Sequence, residues 1–183
     1  MTGTARGLIG LTFDDAYVGL QEHVGPVLRE LRFSATVFAV AGRLGGVNDW
    51  DEAPRRRLLD ADELARLAAE GLEIGSHGLT HARLTTLAEE ELVKEVGHSR
   101  SVLHEAVGPD ILGFCYPYGA YDAAAVAAVR AAGYDYGCAY LTRARDQRFV
   151  LPRTFVGERD GSARLAAKFA AHRLGVRRGP DTR

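Results

Sequence analysis

Two adjacent carboxylates, Asp14 and Asp15, close the segment Thr12-Phe13-Asp14-Asp15, directly behind an apolar run that begins at Gly7. Side by side at a strand terminus they repel each other and lose hydration unless a cation or a proton settles them. A solvated turn is the plainer alternative. Further along, Gly75-Ser76-His77-Gly78-Leu79-Thr80-His81 sets two imidazoles four residues apart. In a helix that spacing is roughly 5–6 Å, which suits two ligands of one metal. Alone, such a pair more often reads as two polar residues on one helix face, but both His here follow a strand, beside Gly and Ser. A third segment, Phe114-Cys115-Tyr116-Pro117-Tyr118-Gly119, turns at Pro and Gly. It would present backbone N–H groups to a developing oxyanion, or simply pack aromatic rings at a strand exit. Two His, one Asp and open positions for water and substrate fit a hydrolytic zinc- or iron-type centre. The second Asp would then be a general base. The residues alone read as a metal-assisted hydrolase centred on Asp14, Asp15, His77 and His81.

Such a constellation needs a scaffold. The chain has 183 residues, 46% apolar and 26% charged, which predicts one globular domain over 1–174 with a frayed tail at 175–183. A net charge of −1 gives no compositional support for a general affinity for nucleic acid or anionic membrane. No apolar run approaches the roughly 18–20 residues of a membrane span. The start, Met1-Thr-Gly-Thr-Ala-Arg, lacks the basic-then-apolar build of a signal peptide. The expected location is therefore cytoplasmic, although a chain trimmed of an export signal would read the same. Cys115 and Cys138 are too few for a disulfide framework and are expected as two buried free thiols.

Strands are predicted at Gly7–Phe13, Ser34–Val40, Leu72–Gly75, Ile111–Tyr116, Tyr136–Leu141 and Phe149–Val156. Helices are predicted at Glu22–Leu31, from Asp60 (capping box with Glu63) to Gly71, from Thr86 (capping box with Glu89) to Val107, over Ala123–Ala132 behind Asp122, and, capped by Ser162, to near Leu174. Residues 42–59 have no periodicity and form a long loop holding the only Trp; a loop of that length is more often functional than idle. Alternating strands and helices predict a parallel sheet, as a barrel or a doubly wound sheet, with the site where strands end.

The motifs resemble those of the polysaccharide deacetylases with NodB homology, carbohydrate esterase family 4. TFDD at 12–15, EIGSHGLTH at 73–81 and FCYPYG at 114–119 follow that family's order and spacing, over Gly7 to Val156. The run VFAVAGRLGGVNDWD is similar to a loop of its FxYPYG-type branch. The resemblance implies an α/β fold, a distorted and incomplete (β/α) barrel. It implies Asp14 as general base, Asp15, His77 and His81 as ligands of one divalent metal (zinc foremost, with cobalt, nickel or manganese as substitutes), and the Tyr118 backbone N–H at the oxyanion. Tyr116, Pro117 and Trp50 are assigned to substrate contact. The implied reaction removes an N-acetyl group, less often an O-acetyl or other N-acyl group, from an amino sugar in a polysaccharide or smaller glycoconjugate. The partner is thus an N-acetylated carbohydrate, with no nucleic acid and no membrane insertion.

The departures from that pattern are specific. Gly78 stands where a hydroxyl residue commonly follows the first His, a change expected to loosen the loop slightly. Cys115 stands where an Arg often contacts the base, so Asp14 should be harder to ionise unless another Arg reaches it. The Asp-Trp element is missing, and where a Leu-His would supply the general acid the chain has Leu151-Pro152-Arg153. The general acid is unassigned: His23 reads as a surface residue, His98 and His104 as outward on a long helix, and His172 as part of the last helix. Two other functions stay open, a non-sugar amide hydrolase such as a deformylase or amidase, and a non-catalytic carbohydrate-binding relative.

Overall fold

The computed structural model describes residues 9–50, 54–108, 111–140 and 148–173. Gly7, Leu8, Leu141, Leu174 and the expected tail lie outside them. Six strands, β1 (Thr12–Asp15), β2 (Thr36–Ala39), β3 (Glu73–Ser76), β4 (Gly113–Cys115), β5 (Tyr136–Tyr140) and β6 (Leu151–Arg153), form one parallel sheet in chain order. Between them run α1 (Gly25–Leu31), α2 (Ala61–Ala69), α3 (Glu89–Val107) and α4 (Ala123–Ala131), and α5 (Ser162–Arg173) follows β6. The sheet curls into an incomplete barrel. Side chains of β6 reach across the concave side to β1, where Arg153 Nη1 donates to Thr12 Oγ1 at 3.1 Å.

Alternation along each strand sorts the side chains into two sets. Val37, Ala39, Ile74, Phe114 and Ala139 face outward into the main core. There they meet Leu64 and Leu67 of α2, Leu92, Val96 and Leu103 of α3, and Val129 of α4. Burying each Leu contributes about 1.5–3 kcal/mol. The inward set is polar or tightly packed. Phe38, Cys115 and Cys138 form a separate buried cluster with Tyr136 against it. Below it, Glu73 accepts from Thr36 Oγ1 at 3.0 Å and from the Tyr136 hydroxyl at 2.6 Å. Gly113 makes room for that phenol, since a Cβ there would overlap the Tyr136 ring. The barrel interior is therefore filled, and the site can lie only at its rim.

The capping boxes fared differently. Asp60 and Glu63 exchange both bonds at the start of α2, at 2.8 and 2.9 Å, and Asp122 accepts from Ala125 N at 2.8 Å to open α4. The box expected from Thr86 and Glu89 does not form. Thr86 Oγ1 instead closes the turn Leu84–Thr86 on Arg83 O, and Glu91 reaches back to Ala88 N at 3.3 Å. In α5, Ser162 is the first helical residue rather than the cap. The expected helix Glu22–Leu31 is split, a wider π turn at Leu20–Val24 leading into α1. The first strand also sits later than expected, so both aspartates belong to it. The described residues of the 42–59 segment, 42–50 and 54–59, make antiparallel bridges Tyr17–Leu58 and Val47–Arg57 and bury Leu58 and Leu59. No helix among the described residues is long and apolar enough to cross a membrane.

Candidate active site

Asp14 and Asp15 end β1, His77 follows β3, and His81 lies four residues on in an irregular loop rather than a helix. The loop still brings the imidazoles together, with ring centroids 4.9 Å apart. Asp15 Oδ1 faces His77 Nε2 at 3.7 Å and His81 Nε2 at 3.4 Å. The three ligand atoms lie within 4.8 Å of one another, so the group could hold a metal ion. The chemistry of the donors points the same way. His77 Nδ1 is 2.7 Å from the Cys115 carbonyl, which can only accept, so Nδ1 donates there and Nε2 is the nitrogen turned toward the carboxylates. Burial, then His77, pushes His81 down to about 3, so it is neutral at neutral pH, and its buried Nδ1 has no hydrogen-bond partner. Two imidazole nitrogens and a carboxylate oxygen converging on one point are a donor set suited to a cation.

The backbone carries strain here. Among the described residues, five without a glycine's freedom adopt positive φ. Four of them are Asp15 (68°), Ala16 (59°), His81 (66°) and Tyr118 (58°), and the fifth, Arg32, ends α1. Each costs roughly 1–2 kcal/mol and persists only where surrounding contacts over-determine it.

Asp14 lies beside the three converging donors, its Oδ2 4.0 Å from His77 Nε2, but has a cationic partner of its own. Arg153 grips its two oxygens in a bidentate pair, at 2.6 and 2.7 Å, and also reaches Cys115 Sγ at 2.8 Å. Burial alone would raise the Asp14 carboxyl, but His77 and the Arg153 hydrogen bonds outweigh it and hold it below the ordinary range. The stated exception applies: another Arg does reach Asp14, and it comes from β6. Asp14, His77 and Cys115 also have the spacing of a ligand set. With Arg153 on both carboxylate oxygens and burial pushing the Cys115 thiol well up, that corner holds a cation already. Tyr140, at the end of β5, places its hydroxyl 3.5 Å from Asp14 Oδ2.

His81 is flanked by rings. Trp50 stacks on it at 4.4 Å and 20°, and Tyr118 meets it edge-on at 4.6 Å. Tyr118 is 45% exposed and lies under the Arg83 guanidinium. Tyr116 corrects an expectation. Its side chain is fully buried and its hydroxyl donates to Phe149 O at 3.0 Å, so it packs the core and has no face for a substrate. Pro117 is buried beside it. Cys115 and Cys138 pair in register on β4 and β5 as free thiols. Thiol labelling under denaturing, non-reducing conditions is expected to count two, and finding none would show a disulfide.

The sequence profile of the polysaccharide deacetylases matches residues 2–137. The chain belongs to this family. YxkH of Bacillus subtilis (strain 168), named for the same family, is 24% identical over 127 residues, covering 69% of this chain and 42% of YxkH. The chain thus spans less than half the length of that relative. Among solved structures, the Streptococcus pyogenes deacetylase PplD in complex with acetate superposes with a TM-score of 0.76 at 18% identity, over 90% of this chain and 71% of that one. IcaB from Ammonifex degensii gives 0.73 at 23% identity, over 88% and 72%. A de-N-acetylase from Aggregatibacter actinomycetemcomitans gives 0.73 at 17%, over 87% and 74%. At these identities the likeness is one of fold: the family's incomplete barrel.

Two residues of the site were not picked out from sequence. Arg153 stands there only as part of Leu-Pro-Arg, and Glu95 is not singled out at all. For Glu95 a signal existed, because it falls on the buried stripe of α3 with Leu92, Val96, Ser99 and Leu103.

Proposed function

We propose that this protein is a metal-dependent deacetylase that hydrolyses an N-acetyl group from an amino sugar, in a polysaccharide or a smaller glycoconjugate. The observation that carries this reading is the convergence of Asp15, His77 and His81 on one point beside a separate, Arg-paired carboxylate. That division matches hydrolysis: three donors hold a cation, and a fourth group is left to move protons. A divalent metal, zinc foremost, held by Asp15, His77 and His81 would polarise the acyl carbonyl and make water a better nucleophile at neutral pH.

Asp14 is the general base. Its carboxylate is kept ionised by Arg153, and it takes a proton from the attacking water. The same proton is then at hand for the departing amine. Among the described residues no further imidazole is placed by contact at the site: His23, His98 and His104 are exposed, and His172 pairs with Thr154 Oγ1 at 2.9 Å. The Tyr118 peptide supplies the N–H that meets the oxyanion. Its left-handed backbone and its ring contact with His81 support this placement. Trp50 and the exposed face of Tyr118 line the approach, a surface suited to the apolar face of a sugar ring.

Calorimetric titration of metal-stripped protein with zinc tests the reading. One zinc per chain is expected to bind tightly, with binding lost in His77→Ala, and the loaded protein should release acetate from N-acetylglucosamine oligomers or from a smaller glycoconjugate. Zinc binding indifferent to His77 would sink the site. Zinc binding without acetate release from any N-acetyl sugar would move the chemistry to a non-sugar amide.

A further inference from the structure

We infer that Glu95, on α3, is the positioning residue that sets His81 for its ligand role. The inference rests on the metal reading above. Glu95 is 5% exposed, and its carboxylate turns inward to the His77–His81 loop. Oε1 accepts from Thr80 N at 2.7 Å and from Ala82 N at 3.4 Å, and Oε2 accepts from Thr80 Oγ1 at 3.0 Å. The two amides bracket His81, the residue whose φ of 66° an L-amino acid rarely adopts. A strained residue held between two anchored peptides cannot rotate back to an ordinary conformation without breaking those bonds. In that conformation Nε2 points at Asp15 Oδ1.

Gly78 belongs to the same device. Its φ is +85°, and a Cβ there would stand 2.9 Å from Glu95 Oε1. The bare glycine is what lets the carboxylate in. The loop expected to be looser for lacking a hydroxyl side chain at this position is thus anchored from the helix side. One turn further along α3, Ser99 Oγ receives the hydrogen bond of Ser76 Oγ at 2.9 Å, and Ser76 Oγ accepts from Gly78 N at 3.1 Å. The helix therefore fixes both the end of β3 and the second histidine.

The test compares Glu95→Gln, Glu95→Asp and Glu95→Ala by zinc titration and by amide hydrogen exchange of the metal-free protein. Gln keeps an oxygen for both amides and should bind zinc nearly as wild type does. Asp is one methylene short and Ala has no acceptor. Both should bind zinc roughly 10–100-fold more weakly, the range for lost outer-shell partners, with faster exchange at Thr80 and Ala82. Asp retains the charge and most of the bulk, so it answers the question if Ala fails to fold. Wild-type zinc affinity and unchanged exchange in Glu95→Asp would overturn the inference. If wild-type protein binds no zinc, the metal reading falls, and exchange at Thr80 and Ala82 still decides whether Glu95 holds the loop.

Discussion

On the proposed mechanism, Asp14→Asn is expected to lower turnover by roughly 10²–10⁴-fold while zinc binding survives, because a general base contributes about that much and the proposed metal donors are other residues. The split is what makes the experiment informative. Asn has the size of Asp and can still accept from Arg153, but it cannot take a proton from water. Its remaining effect is on the buried guanidinium, which loses its counter-charge, so thermal stability should drop as well. Activity is therefore best compared well below the lower melting temperature, with zinc occupancy measured in the same samples. Equal turnover in mutant and wild type would remove Asp14 from the chemistry. Loss of zinc binding along with activity would make Asp14 a ligand and recast Asp15.

The second large effect is expected from Arg153→Met. The Arg153–Asp14 pair is bidentate, with side chains 11% and 23% exposed, so little solvent screens it. Removing one member leaves an uncompensated carboxylate in the barrel mouth, and breaking such a pair costs about 3–5 kcal/mol. Asp14 would also be harder to ionise, so activity at neutral pH should fall together with the urea midpoint. Arg153→Lys restores one charge but not the two-pronged grip, and should recover part of the stability. The guanidinium also stacks near Phe38 and Tyr140, so the Met variant retains much of the apolar packing and isolates the charge. A urea midpoint unchanged in Arg153→Met would mean that the pair contributes nothing net.

How much of this was legible in the sequence depends on distance along the chain. The Asp60–Glu63 box and the Asp122 cap were readable because both partners lie within one turn and the chemistry is local. The Thr86–Glu89 box had the right letters, but the preceding turn claimed Thr86, and a neighbouring acid in the Glu89-Glu90-Glu91 run did the capping. The convergence of Asp15, His77 and His81 followed from the rule that strand ends gather on one rim, although the histidines sit on an irregular loop rather than a helix. Tyr116 was misplaced because a ring in a motif does not announce which face of the strand it takes. Arg153 was out of reach for a different reason: nothing local at 151–153 reveals a partner 139 residues upstream. Only curling the sheet brings the two together.

That separation also bears on how the molecule is made. A chain synthesised from its N-terminus has made Asp15, His77 and His81 by the loop behind β3, and β1, β2 and β3 are adjacent in the sheet. Such neighbouring parallel strands can pair as soon as their crossover helices exist. The charge that neutralises Asp14 is translated last among the strands, and its contact spans most of the polypeptide, the kind of closure that slows folding. Until β6 docks, the inner face of β1 presents a carboxylate that must stay hydrated, so the barrel mouth cannot dry out early. Maturation then has an order. Asp15, His77 and His81 are made first, Glu95 of α3 and the Cys115 carbonyl of β4 that hold the two imidazoles follow, and the guanidinium that pairs with Asp14 comes with β6.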